Sequence, residues 1–206
     1  RNRREPVEHT TYNSLILRWF RPSSEVDPDT PLIIGCDTAD NVGRDFTTLV
    51  AVDPVDMSTV MTARCNITSL TYMAYCVVNL LLEYRRAIFI PESNANGRFL
   101  LDLIFVQIRQ KDKNINLFRR IYNNIVQTWD DTDPESRVDI RNANPASEKS
   151  KKHFGFRTSK AKDSRSFLYK NVLANAVPRN VHRIYDSHII DQITGLTVRN
   201  GRIDHI

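Results

Sequence analysis

Between Pro31 and Ile67 the chain passes through three strand-like stretches whose connections are too short to hold a crossover helix. Leu32-Ile33-Ile34-Gly35-Cys36 is a short apolar run, the pattern of a buried central strand. Asp45 to Asp53 is rich in Thr and Val and closes at Pro54, and Ser58 to Ile67 is a third β-branched run. Parallel neighbours need a long crossover, so these three runs predict an antiparallel meander. The period then changes. Ser69 is placed to cap a helix on which Leu70, Met73, Ala74, Val77, Val78, Leu81 and Tyr84 recur at helical spacing. Arg85 and Arg86 fall in its last turn, where cations suit the helix dipole. Ala87-Ile88-Phe89-Ile90 is a further short strand, and a helix opening at Asn96-Gly97 carries Phe99, Leu100, Leu103, Ile104 and Ile108 on one face. The order βββ–α–β–α, with more α/β after it, predicts a mixed sheet with helices packed on it.

Residues 1–30, with Pro6, Pro22 and Pro28, read as a lead-in or linker holding one short element at Leu15 to Phe20, which leaves 31–206 as the domain. Residues 115–127 have a helical stripe, and 130–148 read as an exposed acidic loop around a short strand, Arg137 to Arg141. Phe167 to Ala176 predicts a helix stopped by Pro178, Val181 to Tyr185 a strand, and Ser187 the cap of a helix through Ile193. Leu196 to Ile206 reads as a strand or hairpin turning at Asn200-Gly201. A chain of 206 residues suffices for one substantial α/β core. No apolar run approaches the ~20 residues that span a bilayer, so no membrane segment is expected. Cys36, Cys65 and Cys76 lie in apolar stretches without C-x-x-C spacing and read as buried, reduced thiols of a cytosolic protein.

Charge is concentrated. Lys149, Lys151, Lys152, Arg157, Lys160, Lys162 and Arg165 stand against a single acid, Asp163, so this segment carries +6 and the rest of the chain −1, for a net charge of +5. Such a patch suits a polyanion such as a phosphate backbone, and equally a solvated loop.

Two acids stand where apolar strands end. Asp37 follows the run 32–36 directly, and Glu92 follows 87–90 with Pro91 between. Functional groups of open α/β sheets gather where strand carboxyl ends open into a crevice. Close carboxylates repel unless one takes a proton or cations neutralise them, and all-oxygen ligands favour Mg²⁺ or Mn²⁺. Two such ions roughly 3.5–4 Å apart can activate water against a phosphodiester. An Asp that merely closes a turn is the plainer reading for position 37 alone. The histidines, Trp19 and Trp129 form no ligand or base-stacking pattern and read as packing or surface residues.

Here the residues resemble a known family. Ile34-Gly35-Cys36-Asp37-Thr38-Ala39-Asp40-Asn41-Val42-Gly43-Arg44-Asp45, running into Thr47 to Val52, resembles the first nuclease motif of phage large terminase subunits. Ile90-Pro91-Glu92-Ser93-Asn94-Ala95-Asn96-Gly97 resembles the second. Phe154-Gly155-Phe156-Arg157-Thr158-Ser159-Lys160, with Asp163 to Arg165, resembles the family's glycine-containing strand and basic turn, and Gly201-Arg202-Ile203-Asp204-His205 the stretch before its last motif. The resemblance implies a ribonuclease H-like α/β fold, with a mixed sheet of five or more strands and helices on both faces. It implies endonucleolytic cutting of concatemeric double-stranded DNA during capsid packaging. Asp37 and Glu92 would be catalytic metal ligands for Mg²⁺ or Mn²⁺, two ions in all, and Asp45 a secondary acid near them. The family's third acid sits in a His-Asp-Asp sequence after such a stretch; Asp204 is the weaker candidate for that place. The basic residues 149–165 would hold DNA. An N-terminal packaging ATPase in the parent chain, a portal and a small terminase subunit would be partners, in the host cytoplasm. No G-x-x-x-x-G-K-[ST] loop is present, so ATP hydrolysis is not expected of this stretch. The alternatives are a resolvase or transposase of the same broad fold, and a non-catalytic DNA-binding or portal-docking module.

Overall fold

A computed structural model describes residues 3–12, 15–39, 45–66, 69–93, 95–123, 144–156, 168–199 and 202–205. Its strands are β1 (Glu8–Tyr12), β2 (Leu15–Trp19), β3 (Ile33–Asp37), β4 (Thr47–Asp53), β5 (Ser58–Cys65), β6 (Ile88–Pro91), β7 (Leu196–Arg199) and β8 (Arg202–His205). The helices are α1 (Leu70–Glu83), α2 (Ala95–Lys111), α3 (Leu117–Arg120), α4 (Glu148–Lys151), α5 (Val177–Asn180) and α6 (Ser187–Thr194). Six strands form one sheet in the order β1-β2-β5-β4-β3-β6, and β7 and β8 pair separately as the expected hairpin. The meander β3-β4-β5 is antiparallel as read, and β6, arriving after α1, lies parallel to β3. This is a mixed α/β sheet with helices packed on it, as the sequence predicts.

Alternation along the strands decides which side is core. Leu15, Leu17 and Trp19 of β2, Ile34 and Cys36 of β3, Leu49 and Ala51 of β4, and Met61 and Ala63 of β5 are buried. They join Met73, Ala74, Val77, Val78 and Leu81 of α1 and Leu100, Ile104 and Ile108 of α2 in one cluster. Each large side chain so buried contributes about 1.5–3 kcal/mol. The three cysteines are buried free thiols, as expected, and burial pushes Cys76 up to about 12.

The other face of the sheet holds the C-terminal segment by polar contacts. Arg18 of β2 and Thr62 of β5 are registered partners, so both project from the face opposite Leu17 and Ala63. There Asp186, only 1% exposed, accepts an ion pair from Arg18 at 2.7 Å and a hydrogen bond from the Thr62 hydroxyl at 2.5 Å. The Thr59 hydroxyl adds a bond to the Arg183 carbonyl at 3.2 Å. Helices thus occupy both faces, α1 and α2 on one and the start of α6 on the other.

Several local expectations are corrected. The stretch read as a lead-in supplies two strands of the main sheet; its prolines fall outside them, and the Leu15-x-Leu17-x-Trp19 alternation was the signal. Arg85 and Arg86 lie beyond the end of α1. Its terminal carbonyls instead receive Arg120, whose guanidinium reaches Leu81 O at 2.5 Å, Tyr84 O at 2.7 Å and Ala87 O at 2.8 Å. The helix expected over 115–127 is only α3, because Ile121 and Asn123 leave it to pair with Phe89 and Phe154. Pro178 does not end a helix but stands in the first turn of α5, where no N–H is needed. Val181–Arg183 is a 3₁₀ turn rather than a strand, and α6 is capped by Asp186, not Ser187. Residues 124–143, with the expected strand at 137–141, lie outside the described residues.

Asp186 is therefore at once a buried ion-pair partner and a helix cap. Its replacement by Ala should lower the unfolding free energy by about 3 kcal/mol. Urea denaturation measures this, and an unchanged midpoint would mean that the contact contributes nothing.

Candidate active site

The parallel pairing of β3 with β6 matches Ile33 with Ile88, Ile34 with Phe89, Gly35 with Ile90 and Cys36 with Pro91. The ladder runs one step further, because the Glu92 N–H donates to the Cys36 carbonyl at 2.8 Å. Asp37 and Glu92 thus stand side by side at the carboxyl ends of neighbouring strands, which are spaced about 4.8 Å apart. Period-two alternation sends Cys36 and Pro91 into the core and turns Asp37 and Glu92 to the opposite face. Asp37 is exposed there and Glu92 half-buried. Burial, followed by the charges of Asp37, Cys76 and Glu92, pushes the Cys36 thiol well above the ordinary thiol range.

Two further segments hold these strand ends. After Asp37, Thr38 is buried, and Ala39 is held from both sides. Its N–H donates to the Thr47 hydroxyl at 3.0 Å, and its carbonyl accepts from the Asn96 amide at 2.6 Å. Asn96, read in the sequence only as part of a helix opening, ties the turn after Asp37 to the helix after Glu92. On the far side of β6, Ser93 N–H donates to Phe156 O at 2.7 Å and Phe156 N–H to Pro91 O at 2.8 Å. Phe154 anchors this piece in the core against Phe105 and Phe118, each at 5.3 Å between ring centroids. Gly155 has φ 81°, and a Cβ on it would lie 2.8 Å from the Pro91 carbonyl. Only glycine fits both conditions.

The remaining expected residues are placed as follows. Asp45 is exposed, two residues ahead of β4 and at the same end of the sheet as Asp37. Asp204 is in β8, opposite Thr197, and its side chain lies outside the described residues. Lys151 pairs with Asp102 of α2 at 2.6 Å, while Lys152 is exposed. The Lys149 side chain and Arg157, Lys160, Lys162 and Arg165 lie outside the described residues, as do Asp40 to Arg44. Among the described residues no group of three or more His, Cys, Asp or Glu gathers to hold a metal; the acids brought together are the pair. An exposed Asp37 beside a half-buried Glu92 still fits magnesium, which keeps several waters and takes one or two carboxylates.

Replacing Gly155 by Ala should cost about 2–4 kcal/mol, because it joins a forbidden φ to a backbone clash. Thermal melting checks this, and a melting temperature equal to wild type would contradict the tight contact beside Glu92.

No protein-family model matches the chain, and no curated protein matches it by sequence. Among solved structures it is similar to the large terminase nuclease of thermophilic phage G20c. The magnesium-bound structure of that nuclease aligns with TM-score 0.53 at 11% identity, over 98% of this chain and 83% of that one. A second structure of the same nuclease aligns with TM-score 0.48 at 11% identity, over 98% and 82%. The chain has the fold of a phage large terminase nuclease domain.

Proposed function

We propose that the chain is a metal-dependent endonuclease that cuts concatemeric double-stranded viral DNA during genome packaging, as the nuclease part of a large terminase subunit. The observation that carries this reading is the carboxylate pair at the ends of β3 and β6, in a fold shared with a nuclease that has been seen with magnesium. Asp37 and Glu92 would hold the divalent ion, and Asp45 would add negative charge nearby. A second ion needs a further acid, and Asp204 is the weaker candidate in this chain. An Mg²⁺ or Mn²⁺ ion held by Asp37 and Glu92 would supply Lewis-acid chemistry to the hydrolysis of a phosphodiester.

The protein's own part is to position. The strand ladder fixes the spacing of the two carboxylates, and Asn96 and Thr47 restrain the turn that follows Asp37. The strands below are apolar and keep the acids at the surface, open to a large substrate. Basic residues 149–165 would hold the DNA backbone through charge, which gives sequence-tolerant, salt-sensitive binding. Lys151, committed to Asp102, would contribute least among the described ones. The packaging ATPase of the parent chain, the portal and the small terminase subunit are the expected partners, in the host cytoplasm.

With Mg²⁺ or Mn²⁺ at low salt, the purified protein should nick and then linearise supercoiled plasmid. Asp37→Ala and Glu92→Ala should each lower the rate at least about 100-fold, a loss of roughly 2.7 kcal/mol or more in transition-state stabilisation. Plasmid left intact by the wild-type protein would defeat the reading.

A further inference from the structure

The row of side chains that holds the carboxylate pair continues across the sheet. Asp37 of β3 is registered with Thr48 of β4, and Thr48 with Arg64 of β5. Registered partners project from the same face, so Arg64 and Asp37 share one face about 10 Å apart, two strand spacings. Arg64 is half-buried. Its guanidinium carbon lies 3.5 Å from the ring centre of Phe46, and its Nε is buried without a hydrogen-bond partner among the described residues. Phe46 is itself 36% exposed, an aromatic ring held at the surface just ahead of β4. A stacked guanidinium keeps its plane fixed and its remaining N–H groups oriented, the arrangement best matched to a phosphate. Among the described residues no carboxylate forms an ion pair with Arg64. A partly desolvated cation in that state favours the arrival of an anion.

We propose that Arg64, held flat on Phe46, binds a backbone phosphate of the DNA next to the Asp37–Glu92 pair. The proposal rests on the nuclease reading and adds to it a contact outside the basic segment 149–165. The arginine lies within a few nucleotides of the acids, at a rise of about 3.4 Å per nucleotide. Its role is to set the lie of the strand over the carboxylates; it touches no reacting atom.

Binding of a fluorescein-labelled duplex by the full chain, in EDTA so that nothing is cut, tests this between roughly 50 and 200 mM salt. Arg64→Gln should weaken binding about fivefold and reduce the slope of log affinity against log salt by about one. Arg64→Lys should keep the slope but lose about threefold in affinity, since an ammonium cannot present a stacked, planar fork. Phe46→Leu should weaken binding in the same direction. Melting temperatures of the variants show which remain folded, and Arg64→Lys carries the test if Arg64→Gln does not fold. Affinity and slope equal to wild type in a folded Arg64 variant would overturn the proposal.

Plasmid nicking with Mg²⁺ separates this from the nuclease reading. A wild type that nicks, with Arg64 variants that bind as wild type, removes only the Arg64 contact. A wild type whose binding depends on Arg64 but which never nicks removes only the nuclease reading. A wild type that binds no DNA removes both.

Discussion

The parallel ladder between β3 and β6 is the constraint from which the rest of the site follows. Two strands joined through α1 lie side by side, and one hydrogen bond past their last registered pair sets Asp37 against Glu92. The same pleat that buries Cys36 and Pro91 turns the acids outward. Slipping β3 by one residue would bury the Asp37 carboxylate and expose the Cys36 thiol, so core packing and site geometry select the same register.

Two carboxylates at strand spacing repel each other. A divalent cation between the two side chains would offset that repulsion. Around the pair, rigid parts prevent the strand ends from splaying. Gly155 brings its segment against Pro91, Phe154 locks that segment into the aromatic core, and Asn96 ties the turn after Asp37 to α2. The Asp186 contact with Arg18 and Thr62 fastens the C-terminal segment to the face from which the acids project.

Much of this was legible in the residues because periodicity is a strong signal where apolar runs are long. The meander, α1, β6 and α2 all follow from it, and so do the positions of Asp37 and Glu92 at strand ends. What was misread depended on contacts distant in sequence. The strands at 8–19 were obscured by nearby prolines, although only pairing with β5 gives them a place. The helix at 115–127 is cut short because Ile121 and Asn123 find strand partners, a choice that local propensity does not contain. Arg120 at the end of α1, Asn96 on Ala39 and Arg64 on Phe46 are likewise tertiary, visible only once strands and helices are brought together. Gly155 belongs to the resembling glycine-containing strand, and its physical reason is the 2.8 Å approach to Pro91.

A crystal of the protein soaked in Mn²⁺, with anomalous diffraction recorded at the manganese edge, tests the central claim most directly. A manganese peak beside the side chains of Asp37 and Glu92 is the predicted result. Density with no metal there, or with the two side chains turned away from each other, would contradict it.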